Sequence, residues 1–196
     1  MTEPNARLHD AIERLDALHK EDPRQERVDG QQIPHELLYA QRMSEWLTRV
    51  APDAGEALRL AVRAQHLQRW RIPRDDYPRD RPGYLAWRRE LGRVQAAQAN
   101  DVLHEAGYDG DFRERVARLI RKEDLRRDPD AQALEDSACL VFLEHYFADF
   151  ASEHDEEKLK RIVRKTWNKM SSRGHELAAT IPLPADAQAL VEKALA

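Results

Sequence analysis

Between residues 69 and 93 the chain carries eight arginines, at positions 69, 71, 74, 79, 81, 88, 89 and 93. Only four acids stand among them, Asp75, Asp76, Asp80 and Glu90, and four aromatic residues are interleaved, Trp70, Tyr77, Tyr84 and Trp87. A guanidinium is planar and permanently charged, and it grips phosphate or carboxylate through two parallel hydrogen bonds; an aromatic face can stack on a base. The combination points to a small anionic or phosphorylated ligand, plausibly a nucleotide, with Arg69, Trp70, Arg74, Tyr77, Arg81 and Trp87 as ligand-binding candidates. The plain alternative is charge balance, because residues 130 to 157 hold nine Asp or Glu and no Lys or Arg. Surface pairing of that kind is worth about 0–1 kcal/mol per pair and leaves the aromatics unexplained.

Among the other reactive side chains, His66 stands out because Arg69 follows it one turn later on the same predicted helix. His9, His19, His35, His154 and His175 sit in polar surroundings and read as solvated, while His104 and His145 read as half-buried. The one cysteine, Cys139, cannot form an internal disulfide, and its neighbours Ala138, Leu140 and Val141 are apolar, so it reads as a buried thiol in a reduced compartment.

Helices must position these groups. Apolar residues recur at helical spacing through Leu8, Ile12, Leu15 and Leu18, and again through Leu38, Met43, Trp46, Leu47 and Val50 behind Pro34. Residues 21 to 33, with Pro23, Asp29 and Gly30, read as a loop. Asp53 can cap a third helix running to about Trp70, which places His66 on or near its buried side. Three prolines between Arg71 and Pro82 forbid a regular helix and predict a structured loop. A fourth helix runs from about Gly83 to Ala106, and a fifth follows a cap at Asp109 or Asp111. The sixth begins at Asp128-Pro129, and its run Cys139 to Leu143, apolar all round, marks it as central. Asp155 opens a seventh, ending near Gly174, and residues 186 to 195 add a short eighth.

The expected fold is therefore all-α, one bundle of seven to eight helices spanning residues 1–196. A single domain suits 196 residues with 41% hydrophobic and 35% charged side chains. A formal net charge of -4 gives no global attraction to nucleic acid or to an anionic membrane, so any basic function is local. No stretch approaches the roughly 18 apolar residues of a membrane span, and the start of the chain has no apolar run, so the expected location is the cytoplasm.

The order of helix-borne groups, Ala64-Gln65-His66, then Leu119-Ile120-Arg121-Lys122-Glu123-Asp124, then Leu134-Glu135-Asp136-Ser137-Ala138-Cys139-Leu140, resembles that of the HD superfamily of phosphohydrolases. That resemblance implies one divalent metal that activates water against a phosphate ester, held by imidazole and carboxylate groups. Carried over position by position, it makes His66 and Asp136 the metal ligands. Leu67 stands where the His-Asp pair has Asp, Tyr39 where the first His falls, Gln95 at a later His, and Lys122 or Glu123 at another. Glu123, Asp124 or Glu135 would then complete the shell, with Glu123 or Asp124 as catalytic base. A metal-free domain that still binds an anion or nucleotide, or a protein-interaction module, is the alternative on the same scaffold.

More specifically, Leu38-Tyr39-Ala40-Gln41-Arg42-Met43, Gln65-His66-Leu67-Gln68-Arg69-Trp70 and the segment from Leu134 to Leu143 resemble the family called domain of unknown function 4202, over roughly Leu8 to Leu190. Lys169-Met170-Ser171-Ser172-Arg173 resembles the phosphate-contacting loop of class I aminoacyl-tRNA synthetases, but the parallel strands and partner motif that loop needs are missing. Ser171 to Gly174 reads instead as a helix stop.

Overall fold

The computed structural model describes residues 4–125 and 127–196, with side chains from Ala6 onward. Among these residues there are ten α-helices: α1 (Pro4–His19), α2 (His35–Val50), α3 (Glu56–Arg63), α4 (Arg81–Glu105), α5 (Gly110–Ile120), α6 (Pro129–Val141), α7 (Phe147–Ser152), α8 (Glu156–Trp167), α9 (Ser172–Ala178) and α10 (Ala185–Leu195). The all-α expectation holds broadly, and the count exceeds seven or eight for two local reasons. The central helix does not stop after Val141; it passes through a π-helical turn at Phe142–Tyr146 and resumes as α7. The C-terminal run also breaks after Trp167, where Ser171 begins α9 by accepting from the Gly174 N–H. Ser171 to Gly174 is thus a helix start rather than a stop.

The predicted loop over residues 21 to 33 holds a small antiparallel hairpin, β1 (Gln25–Val28) paired with β2 (Gln31–Pro34). Its two-residue link, Asp29-Gly30, has positive φ at both positions, 49° and 81°, the backbone that matches strand twist in a tight hairpin. Asp80, Asp109, Asp128 and Asp155 each accept a backbone N–H at the start of α4, α5, α6 and α8. Asp109 is therefore the cap of α5, and Asp128-Pro129 opens α6 as the spacing predicts. No helix among the described residues is long and apolar enough to cross a membrane.

The core lies where α3 packs on α2 and α5 and all three meet α6. Leu58, Leu60, Leu119, Leu134, Leu140 and Phe147 are fully enclosed there. Leu67 belongs to the same core, which accounts for a leucine beside His66.

One departure from the expected elements builds the site. Helix α3 ends at Arg63 instead of about Trp70, because the chain unwinds through tight turns with His66 and Gln68 in the left-handed region, at φ 62° and 47°. His66 consequently leaves the helix face and points its ring at α2.

Candidate functional site

A cavity of about 670 Å³ opens between the N-terminus of α2, the α3–α4 connection, the end of α5, and the central α6 helix with its π turn. Glu36, on the first turn of α2, forms its floor and is almost wholly buried. Its Oε1 accepts from Arg24 Nη2 at 2.7 Å, and its Oε2 lies 3.2 Å from His66 Nδ1. Asp22 fixes this end: it binds the Arg24 guanidinium through both carboxylate oxygens and accepts the Glu36 backbone N–H.

The His66 ring lies flat against Tyr39, with centroids 4.0 Å apart and planes 8° from parallel. Arg69 Nη1 sits 2.9 Å from His66 Nε2. Because a guanidinium only donates, Nε2 accepts, so the ring proton is on Nδ1 and is donated to Glu36. The electrostatics agree with a neutral ring. Burial, and then the Arg69 charge, depress the His66 pKa to about 3. Burial raises that of Glu36, but hydrogen bonds from His66 and Arg24 outweigh it and hold the carboxyl at about 2.

The opposite wall holds a second enclosed carboxylate, Glu135, which accepts from Lys122 Nζ and lies 3.3 Å from Lys169 Nζ. Burial opposes its ionisation, yet the two ammonium groups bring its pKa down to about 2. Lys122 gets there through an unusual backbone. It follows α5 in a Schellman motif, with its own N–H on the Leu119 carbonyl and the Glu123 N–H on the Arg118 carbonyl. Glycine is the usual residue at that position, and Lys122 occupies it at φ 56°. Such strain, about 1–3 kcal/mol per residue, tends to persist at functional sites, and here two of the five left-handed non-glycine residues among the described residues, His66 and Lys122, line the same cavity.

The charge of the cavity opposes that of the chain. Its lining holds Arg24, Arg69, Arg74, Arg88, Lys122 and Lys169 against only Glu36 and Glu135, six cations to two carboxylates. Arg24 is matched by Asp22 and Glu36, and the two lysines by Glu135, which leaves three guanidinium groups without a carboxylate. Arg69 meets the neutral His66 and lies 4.9 Å over the Trp87 ring. Arg74 spends its donors on the carbonyls of Tyr77 and Pro78, folding the proline-rich connection beside Trp87, whose indole N–H holds the Ile72 carbonyl. Arg88 lines the cavity and has no hydrogen-bonding or ionic partner among the described residues.

Of the residues singled out by sequence, His66, Arg69, Trp70, Arg74 and Trp87 line this cavity, and Tyr77 and Arg81 do not. Glu123 and Asp124 lie on the surface after α5, paired with Arg118 and Arg121, and face away from it. Asp136 is buried but serves another purpose: it accepts the Ser171 N–H at 2.8 Å, the Ser171 hydroxyl and the Gln132 amide, anchoring the start of α9. The preceding residue of α6, Glu135, points into the cavity in its stead. Both nitrogens of His66 are engaged and Asp136 lies outside the cavity lining, so the structure does not bring the two side chains together there. No group of three or more His, Cys, Asp or Glu arranged to hold a metal occurs among the described residues.

Tyr39, His66 and Lys122 nevertheless converge here. Gln95 lies behind them, in a small pouch that also touches His66 and Lys122. The arginines of residues 69 to 93 form no ion pair with the acids of 130 to 157 among the described residues; Arg71, Arg79 and Arg93 pair with Glu21, Asp75 and Glu90. Cys139 is buried in the cavity wall, and burial pushes its pKa up to about 12, so it stays a thiol. Glu36 and Arg24 went unmarked in the sequence, because a glutamate on a first helical turn reads as an ordinary complement to the helix dipole.

No curated protein matches the chain, and no solved structure matches it. The model of the family described as domain of unknown function (DUF4202) matches residues 9–191, nearly the whole chain, and the protein therefore belongs to that family.

Proposed function

We propose that the chain binds a small phosphorylated molecule in the cavity between α2, α4 and α6, with Arg69, Arg74 and Arg88 on its anionic end. The observation that carries this reading is the excess of cations: three guanidinium groups lack a carboxylate in the cavity of a protein whose net charge is -4. Guanidinium groups so placed are costly to enclose until an anion meets them, and burial lowers the Arg69 pKa for this reason. Trp87, Trp70 and Phe142 supply apolar and π surface for the rest of the ligand, which fits a nucleotide or another phosphate ester with a ring.

A second reading is hydrolysis of the bound ester, and the Glu36–His66 pair favours it. A carboxylate that accepts the hydrogen bond from Nδ1–H leaves Nε2 as the basic nitrogen, and here Arg69 covers that nitrogen. A ligand anion that draws Arg69 away would expose it. The HD-like, metal-dependent form of this reading further requires His66 to exchange Arg69 for a metal and Asp136 to leave Ser171. Anion binding needs neither change.

The test is a thermal-shift screen of nucleoside mono-, di- and triphosphates and sugar phosphates, followed by calorimetry on the hits. Stabilisation by phosphorylated compounds but not by their dephosphorylated forms, lost in Arg88→Ala, is expected. Equal response to both forms would overturn the reading.

A further inference from the structure

Behind the main cavity, where α4 crosses the ends of α3 and α5, lies a pouch of about 60 Å³. His66, Arg88 and Lys122 line both spaces, so the pouch is a recess at the back of the larger one. Its wall is completed by Gln65, Leu91, Gly92, Gln95, Ile120 and Arg121, whose guanidinium is held by Glu114 and Glu123. Gln95 is about nineteen-twentieths enclosed, at 6% exposure, and its Nε2 has no hydrogen-bond partner. Buried amides are nearly always satisfied, so an unused donor on a residue that lines a polar recess points to something that belongs there.

The donors around the recess have one character. Gln95 offers an amide N–H₂, Arg88 an unpaired guanidinium, and Lys122 an ammonium with three protons, one of which Glu135 takes. No carboxylate lines the recess. A cation would be repelled and a single water could meet only some of these donors at once, whereas a compact oxyanion can accept from all three. A water needs about 10–15 Å³ of such space, so the recess holds a tetrahedral oxyanion but no second ester arm.

We infer that this recess seats the terminal phosphate of the ligand, so that Gln95, Arg88 and Lys122 select phosphate monoesters over diesters and carboxylates. The inference rests on the anion-binding reading above and narrows it: the terminal phosphate meets Arg88 in the recess, and Arg69 and Arg74 are left to the charge of the rest of the ligand. It also accounts for lysine at the glycine-type position after α5, since glycine there would remove one of the three donors.

The experiment titrates the full chain with inorganic phosphate, methyl phosphate and dimethyl phosphate, read by calorimetry and thermal shift, in the wild type, Gln95→Leu, Arg88→Lys and Arg79→Ala. Inorganic and methyl phosphate should bind the wild type, and dimethyl phosphate at least tenfold more weakly. Gln95→Leu replaces an unmatched amide with an apolar group of similar volume, so it should melt no lower than the wild type without ligand. Its phosphate affinity should nevertheless fall by about ten- to a hundredfold, as for a lost hydrogen bond to a charged group. Arg88→Lys, which keeps the charge but loses the fork, should also weaken binding, and Arg79→Ala should not.

Unchanged phosphate affinity in Gln95→Leu would overturn the inference, because the amide would then be merely hydrated. Binding of larger phosphate esters without binding of inorganic or methyl phosphate would also overturn it, while leaving the cavity as an anion site. Failure of every phosphorylated compound would remove both readings together.

Discussion

Replacing Lys122 by glycine and, separately, by alanine should give two proteins whose stabilities stand in the reverse of their order inside a helix. Both substitutions remove the same ammonium and leave Glu135 with Lys169 alone, so both should fall below the wild type, and that loss cancels in the comparison. What remains is the backbone. Position 122 sits at φ 56° in a Schellman motif, where a residue with a Cβ is disfavoured by roughly 1–2 kcal/mol and glycine is not. Against this, alanine restricts the unfolded chain more than glycine does, worth about 0.4–1 kcal/mol in its favour. The balance is about 0.5–1 kcal/mol for glycine, or a melting temperature higher by about 1–4 °C at this chain length. Urea midpoints and calorimetric melts of the two variants, side by side, measure it. An alanine variant equal to or more stable than the glycine variant would refute the argument that Lys122 holds its place at a backbone cost.

Acidification should weaken the fold in a defined window. The unfolded chain takes up a proton at His66 near the ordinary 6.5, whereas the folded chain resists until about 3, so below about pH 6.5 the unfolded state binds more protons. Stability should fall by about 1.4 kcal/mol per pH unit between roughly pH 6 and 4 from this group alone. Glu36, held at about 2, adds a loss in the same direction below its ordinary 4.5. His66→Asn, which tolerates the left-handed backbone, should make the slope shallower by about that amount in urea midpoints measured across the window; an unchanged slope would mean the ring is protonated in the fold. Asp136→Ala should cost about 1–3 kcal/mol by stripping Ser171 and Gln132 of their shared acceptor, while leaving the phosphate response intact in the same thermal-shift assay. Leu140→Ala, at a fully enclosed position of α6, should cost roughly 2–5 kcal/mol in urea unfolding, and an unchanged midpoint would place that helix outside the core.

The helices were legible because their signals are local. Asp109, Asp128-Pro129 and Asp155 start helices where their residue types require, and the apolar run around Leu140 lies in the core. The hairpin was legible in principle through Asp29-Gly30, but strands of four residues carry too little alternation to stand out. The arginine and aromatic cluster led to half the cavity. Its other half depends on long-range placement that no spacing reveals. Whether position 135 or 136 faces the cavity turns on the rotation of α6 against its neighbours, and both residues carry a carboxylate. His66 was marked as a helix residue on the inner face; the left-handed break that turns it toward Glu36 has no glycine to announce it.

The π turn at Phe142–Tyr146 works as a phase adjuster. Each residue of an α-helix advances the side chains by about 100°, so one extra residue would re-aim everything that follows unless a wider turn absorbs it. Before the turn, Ala138 and Cys139 face the cavity while Leu140 and Val141 face the core; after it, Tyr146 still reaches the cavity and Phe147 the core. Deleting one residue from the turn would let the helix run regularly, and Tyr146 and Phe147 would keep roughly their present facing, because a π turn spends about one residue more than an α turn on the same rotation. The turn thus takes in one residue without turning either face, and it does so in the wall of the cavity, where Phe142 and Tyr146 line the open space.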